Sequence, residues 1–153
     1  LMVRNGVLSR EEMLARHEIH MESYSKIIHI EASTLIDMVQ HELLGAAISY
    51  SDMLCSAITH KRAALPDNPC RVETALAASV SKLEEDLLDR CAELKTALDT
   101  MSPGLDAQAQ MCYCHDIIFS GMERVRECID HLEMLVSEDY WPVPTYCKLL
   151  FSV

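Results

Sequence analysis

Apolar residues recur at alternating intervals of three and four along three long stretches of this chain, the spacing that gives an α-helix one apolar side. The pattern runs from Leu14 through Ile28, Leu35, Met38 and Tyr50 to Ala57, then from Leu76 to Met101, and finally from Met111 to Val136. Proline-containing turns at 65–69 and 102–104 separate the stretches. The pattern predicts helices over about 9–63, 69–101 and 106–137. They should form an all-α, antiparallel up-down bundle of three long helices.

The sequence also indicates where the helices begin. Ser9 and Glu12 have the spacing of a capping box. Asn68 before Pro69 is a candidate N-cap for the second helix, and Asp106 is one for the third. A first helix over 9–63 would be about 80 Å long, which is more than a compact domain of this size spans. We therefore expect a kink, a protruding end, or a break near Gly45 that would make four helices.

The segment 140–153 has a different character. Pro142 and Pro144 disfavour helix in the residues before them, and the segment is rich in aromatic and aliphatic side chains. It is predicted to be an extended tail that docks on another surface, because exposed apolar patches of this kind are unfavourable in water. The whole chain, 1–153, is thus expected to form one helical domain with an extended tail.

Charge and composition exclude several classes of function. The formal net charge is −11, from 24 acidic and 13 basic residues, which disfavours binding to nucleic acid or to an anionic membrane surface. No run of 18 apolar residues indicates a membrane span, and no signal-peptide pattern precedes the first helix. The seven cysteines, an odd number without an export signal, are predicted to be reduced thiols in a cytoplasmic protein.

No residue pattern in the chain matches a catalytic, cofactor or metal site. A carboxylate-bridged di-metal bundle needs Glu-x-x-His pairs, and the sequence has none. His17 and His20 are three apart rather than the four of a zinc protease helix. Cys112-x-Cys114-His115 lacks the second ligand pair that zinc requires. We therefore predict no catalytic residue, no cofactor and no metal for this segment.

Glu31 is the one charged residue on the first apolar stripe that invites a specific hypothesis. It falls between Ile28 and Leu35, and a buried carboxylate is unfavourable unless it is paired. Arg124 or Arg126 from the third stretch, or a histidine, could supply the partner. We expect an ion pair that fixes the register of the helices.

Three segments carry a resemblance to a known family. The first is 7–18 continuing into 22–32, which includes Glu-x-Tyr-Ser-Lys-x-Ile-x-Ile-Glu-Ala. The second comprises 122–126 and 130–136. The third is Trp-Pro-x-Pro-Thr-Tyr at 141–146, followed by 149–151. In order and spacing they resemble the C-terminal region of type III glutamine synthetases.

The resemblance implies a role for the segment. The whole enzyme is expected to ligate ammonia to glutamate with ATP and magnesium or manganese, using residues upstream of this region. This segment would then be the non-catalytic C-terminal domain of a longer chain, packing on the catalytic domain and on neighbouring subunits of a homo-oligomer. The candidate structural and interaction residues are Tyr24, Glu31, Arg124, Arg126, Trp141, Pro142, Pro144, Tyr146 and Phe151. The alternatives are a free-standing helical protein-interaction module and, less favoured, a metal-binding enzyme bundle.

Overall fold

Every regular element that the structure describes is helical. The computed structural model describes residues 5–102 and 104–151, without the side chains of Tyr146 and Cys147, and those ranges contain no strand. The helices, in chain order, are α1 (Arg10–Met38), π1 (Val39–Leu43), α2 (Leu44–Ala64), α3 (Arg71–Thr100), α4 (Ala107–Tyr113), π2 (Cys114–Phe119), α5 (Ser120–Leu135) and α6 (Tyr146–Phe151). The prediction of an all-α chain built on a few long helices is confirmed.

The first long helix is continuous from Arg10 to Ala64, because α1, π1 and α2 follow one another directly. It does not break at Gly45, and the wider turn of π1 lies just before that residue. Residues 10–20 are all exposed, so the start of the helix protrudes from the bundle. The predicted capping box is present: Glu12 N donates to Ser9 Oγ at 3.1 Å and Ser9 N donates to Glu12 Oε2 at 2.8 Å.

The start of α3 differs from the prediction. Asn68 is not the N-cap, because Cys70 holds that position and the helix begins at Arg71. Asn68 instead accepts a hydrogen bond from Cys70 N on its side-chain oxygen at 2.9 Å, forming a local turn of the kind that asparagine favours. Cys70 has a φ of 47°, a left-handed conformation that a non-glycine residue adopts infrequently. At α4 the prediction is confirmed, since Asp106 Oδ1 accepts from Ala109 N at 2.7 Å.

The buried residues confirm the predicted apolar stripe of α3. In the first long helix, several buried residues lie one position away from the predicted stripe. In α3 the buried residues are Val80, Leu87, Cys91, Leu94 and Leu98, all on the predicted stripe. In the first long helix the buried residues are Ser25, Ile28, Ala32, Ile36, Val39, Leu43, Ala47, Tyr50 and Leu54. The predicted Leu35, Met38 and Met53 are only half-buried. Small residues such as Ala32 and Ala47 are buried there together with larger ones such as Val39 and Leu43. The predicted Leu35, Met38 and Met53 lie at the edge of this contact.

Polar contacts between α2 and α3 show how these two helices are aligned. Lys61 and Glu73 form an ion pair close to the connecting turn. Farther from the turn on both helices, Ser51 Oγ donates to Glu84 Oε1 at 2.8 Å. From the first contact to the second, the residue number falls from 61 to 51 in α2 and rises from 73 to 84 in α3. The two helices therefore run in opposite directions.

Helix α3 also packs closely on α5, with contacts in the same opposed order. The Tyr113 hydroxyl, just before π2, donates to Ala97 O at 2.9 Å, and Arg90 Nη1 lies 3.1 Å from Glu127 Oε2. Between these contacts, Gly121 is buried against Leu94. A Cβ atom at position 121 would lie only 3.0 Å from Leu94 Cδ1, so the two helices approach at a point where glycine leaves space.

The tail contains a helix that the prediction of an extended tail did not include. Residues 140–145, which include both prolines, are not helical. Tyr146–Phe151 form the helix α6, with Thr145 Oγ1 accepting from Lys148 N at 3.4 Å, as an N-cap side chain does. No proline follows position 144, so nothing there prevents a helical turn. Lys148 pairs with Glu138, and residues 152–153 lie outside the described part.

Candidate functional site

An apolar groove of about 1000 Å³ lies between α1 and α5, and the tail borders it. Its apolar lining comes from α1 and π1 on one side, from π2 and α5 on the other, and from the tail: Ile30, Leu35, Met38, Leu43, Phe119, Met122, Ile129, Val143, Pro144 and Leu149. A groove of this size has room for a ligand or for part of a helix.

The groove exists because α1 and α5 diverge. Helix α1 packs on α4 and π2, whereas α5 packs mainly on α3. Cys114 Sγ in π2 lies 3.9 Å from Ser25 O of α1, close to where the two helices still touch. A π segment adds a residue to a helical turn and is a common place for a helix to change direction. The segment π2 therefore marks the point at which the second wall of the groove leaves the first.

The rim of the groove is acidic. It carries five carboxylates and one guanidinium: Glu31, Glu123, Glu127, Asp130, Glu133 and Arg126. Glu127 pairs with Arg90, and Arg126, Asp130 and Glu133 take part in other contacts of the folded chain. Glu31 and Glu123 are exposed and no hydrogen bond or ion pair joins either one to another described residue. The rim thus presents negative charge around an apolar floor.

The hypothesis that Glu31 is a buried, paired carboxylate is wrong. Its side chain is exposed at the edge of the groove, because the buried stripe passes through Ile28 and Ala32 and leaves position 31 on the flank. Arg124, one proposed partner, lies 3.9 Å from Glu93 Oε2 of α3 instead. Glu31 therefore needs no partner to offset desolvation.

The remaining candidate residues lie in different environments. Tyr24 is half-buried beside the core, and Arg126 and Pro144 line the groove. Pro142 is exposed, and Phe151 is 75% exposed on α6. These residues do not form one cluster, so they do not define a common site.

Trp141 anchors the tail. It is 6% exposed, and its indole Nε1 has no hydrogen-bond partner among the described residues. Of Tyr146, the structure places the backbone at the start of α6, and its side chain lies outside the described part. The tail therefore docks through Trp141, while the end of α6 stays at the surface.

Sequence reasoning missed an apolar surface on the outside of α1. Ile19, Ile27 and Ile30 are 60%, 54% and 64% exposed. They are eight and three residues apart, so they lie within about 80° of one another around the helix, on the side away from its buried residues. We call these three residues the outer isoleucine face. The sequence contains the helical spacing of these three isoleucines. The apolar stripe that faces the core on the same helix is stronger, so the outer face was not recognised.

The cysteines do not form a reactive or metal-binding centre in the described ranges, which contain no group of three or more His, Cys, Asp or Glu side chains able to hold a metal. Burial raises the pKa of the Cys91, Cys114 and Cys128 thiols, which keeps them protonated and unreactive. Cys112 and His115 are exposed whereas Cys114 is buried against Met101, so the Cys112-x-Cys114-His115 side chains point to different environments. No helix of the described part has the length and apolarity to cross a membrane.

Comparison with known proteins gives one consistent family. The model for the glutamine synthetase C-terminal domain matches residues 1–62, which include most of the first long helix. A glutamine synthetase of Butyrivibrio fibrisolvens is 30% identical over 156 residues, covering 100% of this chain and 22% of that protein. A type-3 glutamine synthetase of Dictyostelium discoideum is 28% identical over 159 residues, covering 99% and 21%. A glutamine synthetase of Bacteroides fragilis is 22% identical, covering 99% and 21%. The chain thus spans about a fifth of the length of the curated relatives it matches.

Proposed function

We propose that this chain is a C-terminal domain of the glutamine synthetase family and that it is a non-catalytic domain for subunit packing and oligomer assembly. The whole protein would ligate ammonia to glutamate in the cytoplasm, with ATP and magnesium or manganese bound elsewhere in the chain. The partners of this domain would be the catalytic domain of the same chain and neighbouring subunits.

The outer isoleucine face is the observation that carries the proposal. Three β-branched side chains are exposed on α1, and one of them, Ile30, also lies at the edge of the groove. Fully burying an isoleucine contributes about 1.5–3 kcal/mol relative to exposing it, so a partner that covers this face gains several kilocalories per mole. The face lies on a helix whose first eleven residues protrude, and on the segment that matches the family model.

The proposal predicts that acidic substitutions on this face weaken the assembly. In the complete protein that carries this sequence, Ile19→Asp combined with Ile27→Asp should shift the molar mass, measured by light scattering after size exclusion, to smaller species. Both positions are exposed in the domain, so the fold itself should change in stability by no more than about 0.5 kcal/mol per site.

A matched control adds two acidic residues elsewhere on the same helix. His17→Asp with His29→Asp, both at exposed positions on other sides of the helix, should leave the molar mass unchanged. The proposed role fails if the Ile19/Ile27 variant assembles like the unmodified protein, or if the control disassembles to the same extent.

A further inference from the structure

We propose that the groove between α1 and α5 binds one amphipathic helix whose apolar side is flanked by lysine or arginine residues. This inference rests on the proposed packing role, because it specifies the chemistry of a partner of this domain. Three properties of the groove support it: the shape and composition of its floor, the charge of its rim, and the position of the tail.

The floor fits the apolar side of a helix. The lining on the first long helix extends from Ile30 to Leu43, which corresponds to about 20 Å of helix, or roughly thirteen residues of a helical partner. Met38 and Met122 both line the groove, and their flexible, polarisable side chains can adapt to different apolar surfaces. Ile30 is mostly exposed, so part of the floor can still be covered by a partner.

The rim specifies the charge of the partner. Five carboxylates and one guanidinium surround the apolar lining, and Glu31 and Glu123 remain exposed without an ion pair in the described part of the chain. Basic residues beside the apolar stripe of a partner helix would meet this rim with complementary charge. A second copy of this chain is a poor occupant, since each copy has a formal net charge of −11 and the copies repel.

The tail forms a wall of the groove rather than filling it. Val143, Pro144 and Leu149 line one border, and Trp141 and the Lys148–Glu138 pair hold the tail in that position. With the tail held there, the volume between α1 and α5 stays open. An incoming helix would therefore add to the existing packing and would not have to displace α6.

The test is a titration of the chain into a fluorescent 14-residue peptide. The peptide has leucine at helical spacing on one side and lysine at most other positions, and a control peptide has the same composition in scrambled order. We expect saturable one-to-one binding of the amphipathic peptide, and at least about tenfold weaker binding of the scrambled one, since tenfold corresponds to 1.4 kcal/mol.

Two variants locate the binding in the groove. Glu31→Lys with Glu123→Lys reverses the rim charge and should weaken binding by at least about tenfold, because two attractions become repulsions. Glu18→Lys with Glu85→Lys makes the same change in net charge at exposed positions outside the groove and should change binding less than about threefold.

Ile30→Ser should weaken binding, whereas Ile48→Ser, also at an exposed isoleucine, should not.

The inference is overturned if the scrambled peptide binds as well as the amphipathic one, or if both double variants lose affinity equally, because either result shows attraction by net charge alone. Self-association of the chain that blocks the peptide also overturns it, in favour of a second copy as occupant. The proposed assembly role is judged separately by the Ile19/Ile27 variant, which leaves the residues of the groove unchanged. If the peptide does not bind and the Ile19/Ile27 variant disassembles, only this inference is overturned.

Discussion

Leu87→Ala is expected to lower the free energy of unfolding of the chain by about 2–5 kcal/mol, whereas Leu88→Ala should change it by less than about 0.5 kcal/mol. Leu87 is 0% exposed at the centre of the core, and Leu88 is 55% exposed on the other side of α3. Truncating Leu87 removes buried methyl groups and leaves a cavity that the long helices can fill only in part. Truncating Leu88 removes side-chain atoms that mainly contact water.

Urea denaturation followed by circular dichroism measures both changes. The two substitutions are identical in chemistry and adjacent in sequence, so helix propensity contributes equally to both and cancels in the comparison. The contrast therefore reports the orientation of α3 in the bundle. Equal losses for the two variants would contradict the packing described here, because they would place both leucines in similar surroundings.

Gly121→Val is expected to destabilise the chain by about 2–4 kcal/mol, near the upper end of what overpacking costs. A Cβ at position 121 would already lie 3.0 Å from Leu94 Cδ1, and valine adds two more carbon atoms at this buried contact. Gly45→Val is the matched control, because no atom lies within 4 Å of a Cβ built at that position and the residue is exposed. It should be neutral or slightly stabilising, since valine forms helix better than glycine.

A double-mutant cycle tests whether Leu94 is the cause. Leu94→Ala alone should cost about 2–5 kcal/mol, but it also removes the side chain that valine at 121 would meet. The combined variant should therefore lose clearly less stability than the sum of the two single losses, as coupled neighbours do. Strict additivity would mean that the two residues do not touch, and a full loss in Gly45→Val would mean that any glycine replacement disturbs these helices.

The packing of α3 could be predicted from the sequence because its apolar spacing, its ends and the size of its side chains all indicate the same buried side. Large apolar residues follow one helical spacing from Leu76 to Met101, and proline-containing turns border the stretch. Each of the buried residues Leu87, Leu94 and Leu98 lies on that stripe. When pattern, ends and side-chain size all indicate the same side of a helix, the orientation follows from periodicity alone.

The orientation of the first long helix could be predicted only to within one residue. Its centre contains the small residues Ala32 and Ala47, which carry little weight in an apolar pattern although they lie deepest in the contact. The apolar pattern therefore follows the edge of the contact and predicts Glu31 inside the core. This single shift explains why the predicted ion pair is absent and why the carboxylate lies on the rim of the groove instead.

Features that depend on several distant segments could not be predicted from the sequence. The groove arises from the divergence of α1 and α5 at π2, and nothing in the residues of π2 distinguishes a π segment from an α-helix. The left-handed Cys70 was likewise unexpected, because local preference places such a conformation at glycine or asparagine. Both depend on how the helices meet rather than on any local pattern.

The outer isoleucine face of this domain should be covered by protein in the complete assembly. Photo-crosslinking measures this directly, with a benzophenone amino acid placed at Ile27 and, as a control, at His29, which is exposed on a different side of the same helix. We predict that position 27 forms crosslinks to a segment outside this domain or to a neighbouring subunit, and that position 29 forms few. Position 27 giving no more crosslinked product than position 29 would contradict the claim.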